Sequence, residues 1–149
     1  MNYKIENYTP AYKNEILTVW ENSVLATHHF LSPKDFIEIK EMLQHFDFEN
    51  INVFCLNENS KVIGFLALQK FKIEMLFLDP EYMGRGLGRK LLDYAVSNHK
   101  ANSVDVNEQN TNAKKFYEKF VFKIYERTEK DDFGKNYPLL RMKLETQDR

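Results

Sequence analysis

Five residues in the middle of the chain, Gly84-Arg85-Gly86-Leu87-Gly88, alternate glycine with a side chain. An apolar run, Ile73 to Leu78, comes before them, and an amphipathic stretch from Leu87 to about His99 comes after. Glycine lets a backbone turn tightly and come close to a ligand. A helix starting there offers unpaired N–H groups and the positive end of its dipole. Together these features make a phosphate site. Arg85, Arg89 and Lys90 add charge beside the loop, and Lys114, Lys115 and Lys119 lie on a later stretch that could flank the same opening. A ligand with several phosphates, such as coenzyme A, fits this surplus. The same three glycines could also form a plain tight turn. Two rival phosphate motifs are excluded. No Gly-Lys-Ser/Thr follows, so the loop is not a P-loop. The dinucleotide fingerprint needs Gly or Ala three residues after its second glycine, where this chain has Arg89 or Leu91.

The elements that must position this loop follow from periodicity. Tyr3 to Tyr8 reads as a first strand. Ile16, Trp20, Val24 and His28 recur every four residues, with Val19 and Ser23 beside them, which predicts a helix. Ser32-Pro33-Lys34-Asp35 opens a second helix, with Ser32 as cap, Pro33 at the first position and Asp35 completing a capping-box-like pattern. Its stripe is Phe36, Ile39, Leu43 and Phe46. Val53 to Leu56 and Val62 to Leu68 flank the turn residues Asn57 to Ser60, a hairpin. These runs and Ile73 to Leu78 are nearly continuous, as in strands covered on both faces. Val104 to Val106 is a short strand, and the helix before it implies a parallel crossover. Ala113, Phe116, Tyr117 and Phe120 share a helix face. Lys123 to Glu129 and Tyr137 to Leu144 read as a final antiparallel pair. The expected fold is α/β, a single domain over 1–149, with a mixed central sheet, about four helices and the order β-α-α-β-β-β-α-β-α-β-β.

Bulk properties narrow the function. The chain has 149 residues, 43% hydrophobic and 14% aromatic, which is globular composition. A net charge of -1 gives no field to recruit nucleic acid or an anionic membrane. Cys55 is the single cysteine, so no disulfide forms within the chain, and the four histidines lack metal-ligand spacing. Cys55 lies between Phe54 and Leu56 and reads as a buried small hydrophobe. No signal-like stretch or membrane span is visible, so a cytoplasmic protein, monomer or homodimer, is expected.

Two motifs sharpen the expectation. Met75-Leu76-Phe77-Leu78-Asp79-Pro80-Glu81-Tyr82-Met83, continued by the glycine loop, resembles the acetyl-CoA motif of the GNAT superfamily of acetyltransferases. Asn110-Thr111-Asn112-Ala113-Lys114-Lys115-Phe116-Tyr117 resembles its second motif, Asn-x-x-Ala-x-x-x-Tyr. The resemblance covers nearly the whole chain, since the element order agrees as well. Ala26-Thr27-His28-His29-Phe30-Leu31, Asn107-Glu108-Gln109-Asn110 and Tyr137-Pro138-Leu139-Leu140 are similar to one small bacterial branch of that family. Two positions depart from the family pattern. Met83 stands where Gln or Arg is usual, and Val121 stands where glycine usually ends the helix. Valine takes a left-handed conformation only at a cost, which predicts a differently built helix end.

The resemblance implies acetyl transfer from acetyl-CoA to an amine by direct attack on the thioester, without metal. The acceptor is a small-molecule or protein amine. Leu76, Phe77 and Leu78 would bind the pantetheine by their backbone, and one N–H would polarise the thioester oxygen. Gly84, Arg85, Gly86, Leu87, Gly88 and Arg89 would hold the pyrophosphate, and Asn107, Asn110, Asn112, Ala113, Phe116 and Tyr117 the other side of the cofactor. On periodicity alone Tyr117 is a core aromatic; in the motif it is the acid for the departing thiolate. Asn107 and Asn110 also suit a turn and a helix cap. An amine with pKa ~10.4 is almost wholly charged at neutral pH, so a base or a desolvated pocket must help. Glu74, Glu108 and His28 are the candidate bases. Glu74 shares even parity with Leu76 and Leu78, which places it on their face. His28, Tyr137 and Glu108 are the candidate acceptor-side residues. A non-catalytic acyl-CoA sensor or carrier is the alternative, disfavoured by the presence of Tyr117 beside the phosphate loop.

Overall fold

The computed structural model describes residues 2–145. Its strands are β1 (Tyr3–Asn7), β2 (Asn52–Glu58), β3 (Lys61–Gln69), β4 (Lys72–Leu78), β5 (Ser103–Asn107), β6 (Phe122–Thr128) and β7 (Leu139–Leu144). Its α-helices are α1 (Lys13–Thr27), α2 (Pro33–His45), α3 (Leu87–His99) and α4 (Thr111–Lys119). The order along the chain is the one expected from periodicity, with short 3-10 turns added at Pro10–Tyr12, Phe48–Asn50 and Pro80–Tyr82. The sheet runs β1-β2-β3-β4-β5-β7-β6, antiparallel except for the β4–β5 pair.

Two apolar layers sandwich the sheet. Leu91, Leu92 and Ala95 of α3 and Tyr117 of α4 pack on one face with Ile63, Leu66, Val104 and Met142. Ile16, Val19, Trp20 and Val24 of α1 and Leu43 of α2 pack on the other with Val53, Phe65 and Ala67. The stripe read from α1 is thus its buried face. β2 and β3 are covered on both sides, as their continuous apolar runs imply. β4 is not: Met75, Leu76 and Phe77 stay partly open because they border a cleft.

The structure shifts the first hairpin turn and the start of the last strand and rewires the cap of α2, each for a local reason. Asn59 and Ser60 both take positive φ (49° and 69°), so a two-residue turn closes the first hairpin and β2 runs on through Asn57 and Glu58. The last strand begins at Leu139, not Tyr137. Tyr137 N–H bonds the Lys135 carbonyl, and Pro138 has no N–H to give a ladder. At the start of α2, Ser32 Oγ accepts from Asp35 N–H at 3.1 Å, but the reciprocal half of the expected capping box is diverted. Ser32 N–H bonds the Tyr137 hydroxyl at 3.2 Å, and the Asp35 carboxylate takes the Tyr137 O–H and Lys135 instead.

The end of α4 overturns the expectation for Val121. The valine adopts φ 66°, the left-handed turn a glycine would make, and its N–H bonds the Glu118 carbonyl at 3.0 Å. The return into β6 demands this conformation, since the Val121 carbonyl is held by Glu145 N–H and Phe122 is sealed in the core. Left-handed backbone costs an L-residue roughly 1–2 kcal/mol, and a glycine gives back part of that gain through unfolded-state entropy. Val121 is half exposed, so little packing is lost with its side chain. Val121→Gly is therefore expected to stabilise the fold by ~1 kcal/mol, a rise of roughly 2–4 °C in melting temperature. Thermal unfolding of the two proteins checks this, and an unchanged or lower midpoint would contradict the strain.

Candidate functional site

The site is a gap in the sheet. β4 and β5 pair only at Lys72 with Ser103 and Ile73 with Val104, then part. β5 stays paired with β7 along its length, and β4 with β3. The gap opens into a cavity of about 760 Å³, bordered by β4, β5, the glycine loop, α4 and the end of α1.

The glycine loop forms one rim. Gly84 and Gly86 take φ 80° and 75°, and a Cβ added at either would meet no protein atom within 4 Å. Gly86 precedes α3 without any side-chain cap, and the first helical bond runs from Lys90 N–H to Gly86 O. The N–H groups of Leu87, Gly88 and Arg89 are thus left for a ligand. Gly88 serves a packing need: a Cβ there would come within 3.4 Å of the Phe116 ring, so its absence lets α4 approach α3. Of the loop cations, Arg89 lies over the Phe120 ring at 4.5 Å and borders the cavity, while Arg85 lies over Tyr82 at 5.0 Å outside it.

The far wall carries the second motif. Asn110 caps α4 through a 3.1 Å bond from Ala113 N–H, and Asn107 ends β5. Both border the cavity with Asn112, Ala113, Phe116 and Tyr117. Tyr117 is buried, edge-on to Phe116 and Phe122, and burial holds its phenol well above the ordinary value. It is core aromatic and cavity wall at once.

The residues expected on the acceptor side part company. His28 borders the cavity at the end of α1, its ring 6.4 Å from that of Phe77. Burial, and then neighbouring His29, hold its imidazole below the ordinary 6.5, so it is neutral at pH 7. Glu74 also borders the cavity, but not by the parity expected. Ala67 pairs with Met75 and Leu68 with Ile73, so Glu74 is the extra residue of a β-bulge. Ile73, Leu76 and Leu78 therefore pack in one core layer, and Met75 and Phe77 in the other, with Glu74 outside the alternation. Its carboxylate lies 3.6 Å from Lys72 Nζ. Glu108 lies away from the cavity, held by a two-pronged pair with Arg127, which lowers the carboxyl pKa. That capture removes it from the base candidates. Tyr137 is also set back, against Phe30, which in turn packs on His28.

Ser23, Thr27 and Asp105 border the cavity and went unrecognised in the sequence. Ser23 and Thr27 are four residues apart on the His28 side of α1, a spacing that could have marked them. Asp105 is engaged by Lys72 and Arg141. Cys55 is buried, and burial pushes its thiol up to about 12, which makes it inert. Among the described residues, no cluster of His, Cys, Asp or Glu could hold a metal, and no helix is long and apolar enough to cross a membrane.

The gap, the uncapped helix and the two motifs meet in one cleft, and the acetyltransferase (GNAT) domain family matches residues 13–146. The chain belongs to the GNAT acetyltransferases. It is 39% identical over 128 residues to the peptidyl-lysine N-acetyltransferase YjaB of Escherichia coli K12, covering 86% of this chain and 87% of that one. The Salmonella typhimurium YjaB is 37% identical over 86% of this chain and 88% of its own. The solution structure of apo YjaB from Escherichia coli superposes with a TM-score of 0.88 at 35% identity, over 96% of this chain and 97% of that one. The PaiA N-acetyltransferase of Thermoplasma acidophilum, solved with coenzyme A, shares the fold at a TM-score of 0.72 and 22% identity, over 96% of this chain and 99% of that one.

Two substitutions test the glycine rim. Gly86→Val and Gly134→Val carry similar backbone strain, since Gly134 has φ 78° and equally open space, but Gly134 does not line the cavity. Each is expected to cost roughly 1–3 kcal/mol and remain folded. Only Gly86→Val should lose the rise in melting temperature on adding coenzyme A. An equal ligand-induced rise in both variants would make the loop a plain turn.

The Asp35–Tyr137 bond gives a pH-dependent prediction. The Tyr137 hydroxyl, then Lys135, holds the Asp35 carboxyl down to about 2 from 3.8. A depressed carboxyl stabilises the fold above its unfolded pKa, and that contribution fades as pH falls toward the folded value. The stability gap between wild type and Tyr137→Phe is expected to be full at pH 7 and to shrink from about pH 4 downward. Urea unfolding at several pH values measures it, and a gap that widens in acid contradicts the assignment.

Proposed function

We propose that this GNAT acetyltransferase moves an acetyl group from acetyl-CoA to the side-chain amine of lysine, by direct attack within the β4–β5 gap. The observation that carries the proposal is that one cleft brings together an uncapped helix start, a free strand edge, a buried phenol and an imidazole that burial keeps neutral. Lysine is chosen because the YjaB relatives are named peptidyl-lysine N-acetyltransferases.

The residues divide the work by position. The N–H groups of Leu87, Gly88 and Arg89 receive the pyrophosphate, and Arg89 adds charge. The edge of β4 from Met75 to Leu78, which has no ladder partner on its β5 side, binds the pantetheine and offers an N–H to the thioester oxygen. Acetyl-CoA supplies the activated acyl group. Glu74, a carboxylate at the cavity wall, receives the incoming ammonium. His28 then takes a proton from the nitrogen. A free ammonium is about four pKa units too weak an acid to give that proton to an imidazole outright. The ammonium therefore loses its first proton to water as it is desolvated in the cleft, and the neutral amine attacks the acyl carbon. His28 takes the second proton once N–C bond formation has made the nitrogen more acidic. Tyr117 donates its O–H to the departing sulfur. Burial keeps this phenol protonated, and the same dry setting makes a thiolate more basic, so the two remain matched.

Tyr117→Phe keeps the ring and its edge contacts with Phe116 and Phe122. Single-turnover transfer to a lysine peptide is expected to slow by roughly 10-fold or more, with acetyl-CoA affinity little changed. An unchanged rate at saturating acetyl-CoA would return Tyr117 to a packing role. Wild type that binds acetyl-CoA but acetylates no lysine peptide and no amine in a broad panel would favour the sensor.

A further inference from the structure

We propose that Thr27 is a positioning residue that fixes the tautomer of His28, placing the proton on Nδ1 and leaving the Nε2 lone pair for the acceptor. The inference rests on the role given to His28 above, and its first measurement stands apart from that role.

The geometry is a count of hydrogens. Thr27 Oγ1 lies 2.7 Å from the Ser23 carbonyl oxygen and 2.7 Å from His28 Nδ1. A threonine hydroxyl has one hydrogen and two lone pairs. A carbonyl oxygen can only accept, so the short contact to Ser23 O requires the hydroxyl hydrogen. Were that hydrogen turned toward Nδ1, two acceptor oxygens would face each other at 2.7 Å. The Thr27 oxygen therefore accepts, and His28 Nδ1 must be the donor. A neutral imidazole holds one N–H, so Nε2 carries the lone pair.

The chain path aims this ring. α1 ends at Thr27, and His28 leaves the helical conformation at φ -103°, ψ 57°, with its own N–H still bonded to the Val24 carbonyl at 2.8 Å. The ring is held between Phe30 at 5.2 Å and Phe77 at 6.4 Å. Among the described residues, none bonds Nε2, although it belongs to a cavity-lining residue and is not sealed from that space. Free imidazole side chains in water favour the opposite tautomer, which would present an N–H to an incoming ammonium and repel it. Thr27, by accepting from Nδ1–H, removes that mismatch. In the step itself, the neutral amine gives its lone pair to the acyl carbon, and an N–H bond of the resulting cationic nitrogen then breaks with its electron pair left on nitrogen. The proton moves to Nε2, and His28 becomes an imidazolium with both ring nitrogens protonated.

The test is long-range proton–nitrogen correlation NMR on protein labelled with 15N-histidine, at pH 8 and without ligands, with His28 assigned by its loss in His28→Ala. Wild type and Thr27→Ser are expected to show His28 protonated at Nδ1 and unprotonated at Nε2. Thr27→Val, which keeps the shape and removes the acceptor, should shift the population toward Nε2–H. With a lysine peptide, Thr27→Val should lower kcat by roughly tenfold with KM for acetyl-CoA unchanged, and Thr27→Ser should restore it. An Nε2–H tautomer in the wild type overturns the proposal, as does an Nδ1–H tautomer retained in Thr27→Val. A shifted tautomer with an unchanged kcat would overturn the catalytic purpose alone, so failure of the His28 base and failure of the Thr27 bond are separable.

Discussion

The parting of β4 from β5 is the constraint around which the molecule is arranged. A parallel pair that stops after Ile73 and Val104 leaves backbone groups unladdered in the middle of a sheet. Unpaired backbone polar groups inside a protein are costly unless a ligand or water meets them. The fold holds the gap open from both sides. β3 grips β4 as far as Leu78, and β7 grips β5 as far as Asn107. The bulge at Glu74 bends β4 where the separation begins. The cleft is thus built into the pairing of the sheet.

The pieces around the gap answer the needs it creates. α3 must start close to the end of β4, and the left-handed Gly84 and Gly86 make that turn. α4 must pack against α3 closely enough to close the cavity, and Gly88 gives Phe116 the room. The chain must then reverse into β6, and Val121 takes a left-handed conformation to do so. Strain in a β-branched residue is tolerated here because Phe122 and the Glu145 bond determine the path on either side.

The end of α1 at His28 is held by side chains, not by the sheet. The Asp35–Tyr137–Lys135 cluster ties the start of α2 to the loop before β7. Phe30 leans on Tyr137, and His28 leans on Phe30. The placement of the imidazole thus depends on contacts across about a hundred residues of sequence, while its proton depends on the residue beside it.

The helices and the glycine turn at the cavity rim were legible in the sequence because both are local. Trp20, Val24 and their stripe repeat with the helical period, and alternating glycines before an amphipathic run mark an uncapped helix start wherever they occur. The element order and the place of Tyr117 followed from the same signals. What the tertiary structure decided concerns registers and partners. Parity put Glu74 with Leu76, but the bulge that breaks parity exists only through the pairing of β4 with β3. Glu108 was a candidate base from its place in the motif, but β6 brings Arg127 to its carboxylate. Tyr137 resembled a strand residue, and its hydroxyl instead joins a cap more than a hundred positions away. Val121 was expected to avoid the costly glycine turn, yet the core on either side obliges it to make that turn. Period is a property of neighbours in sequence, whereas register, ion pairing and imposed strain are settled only when distant strands meet.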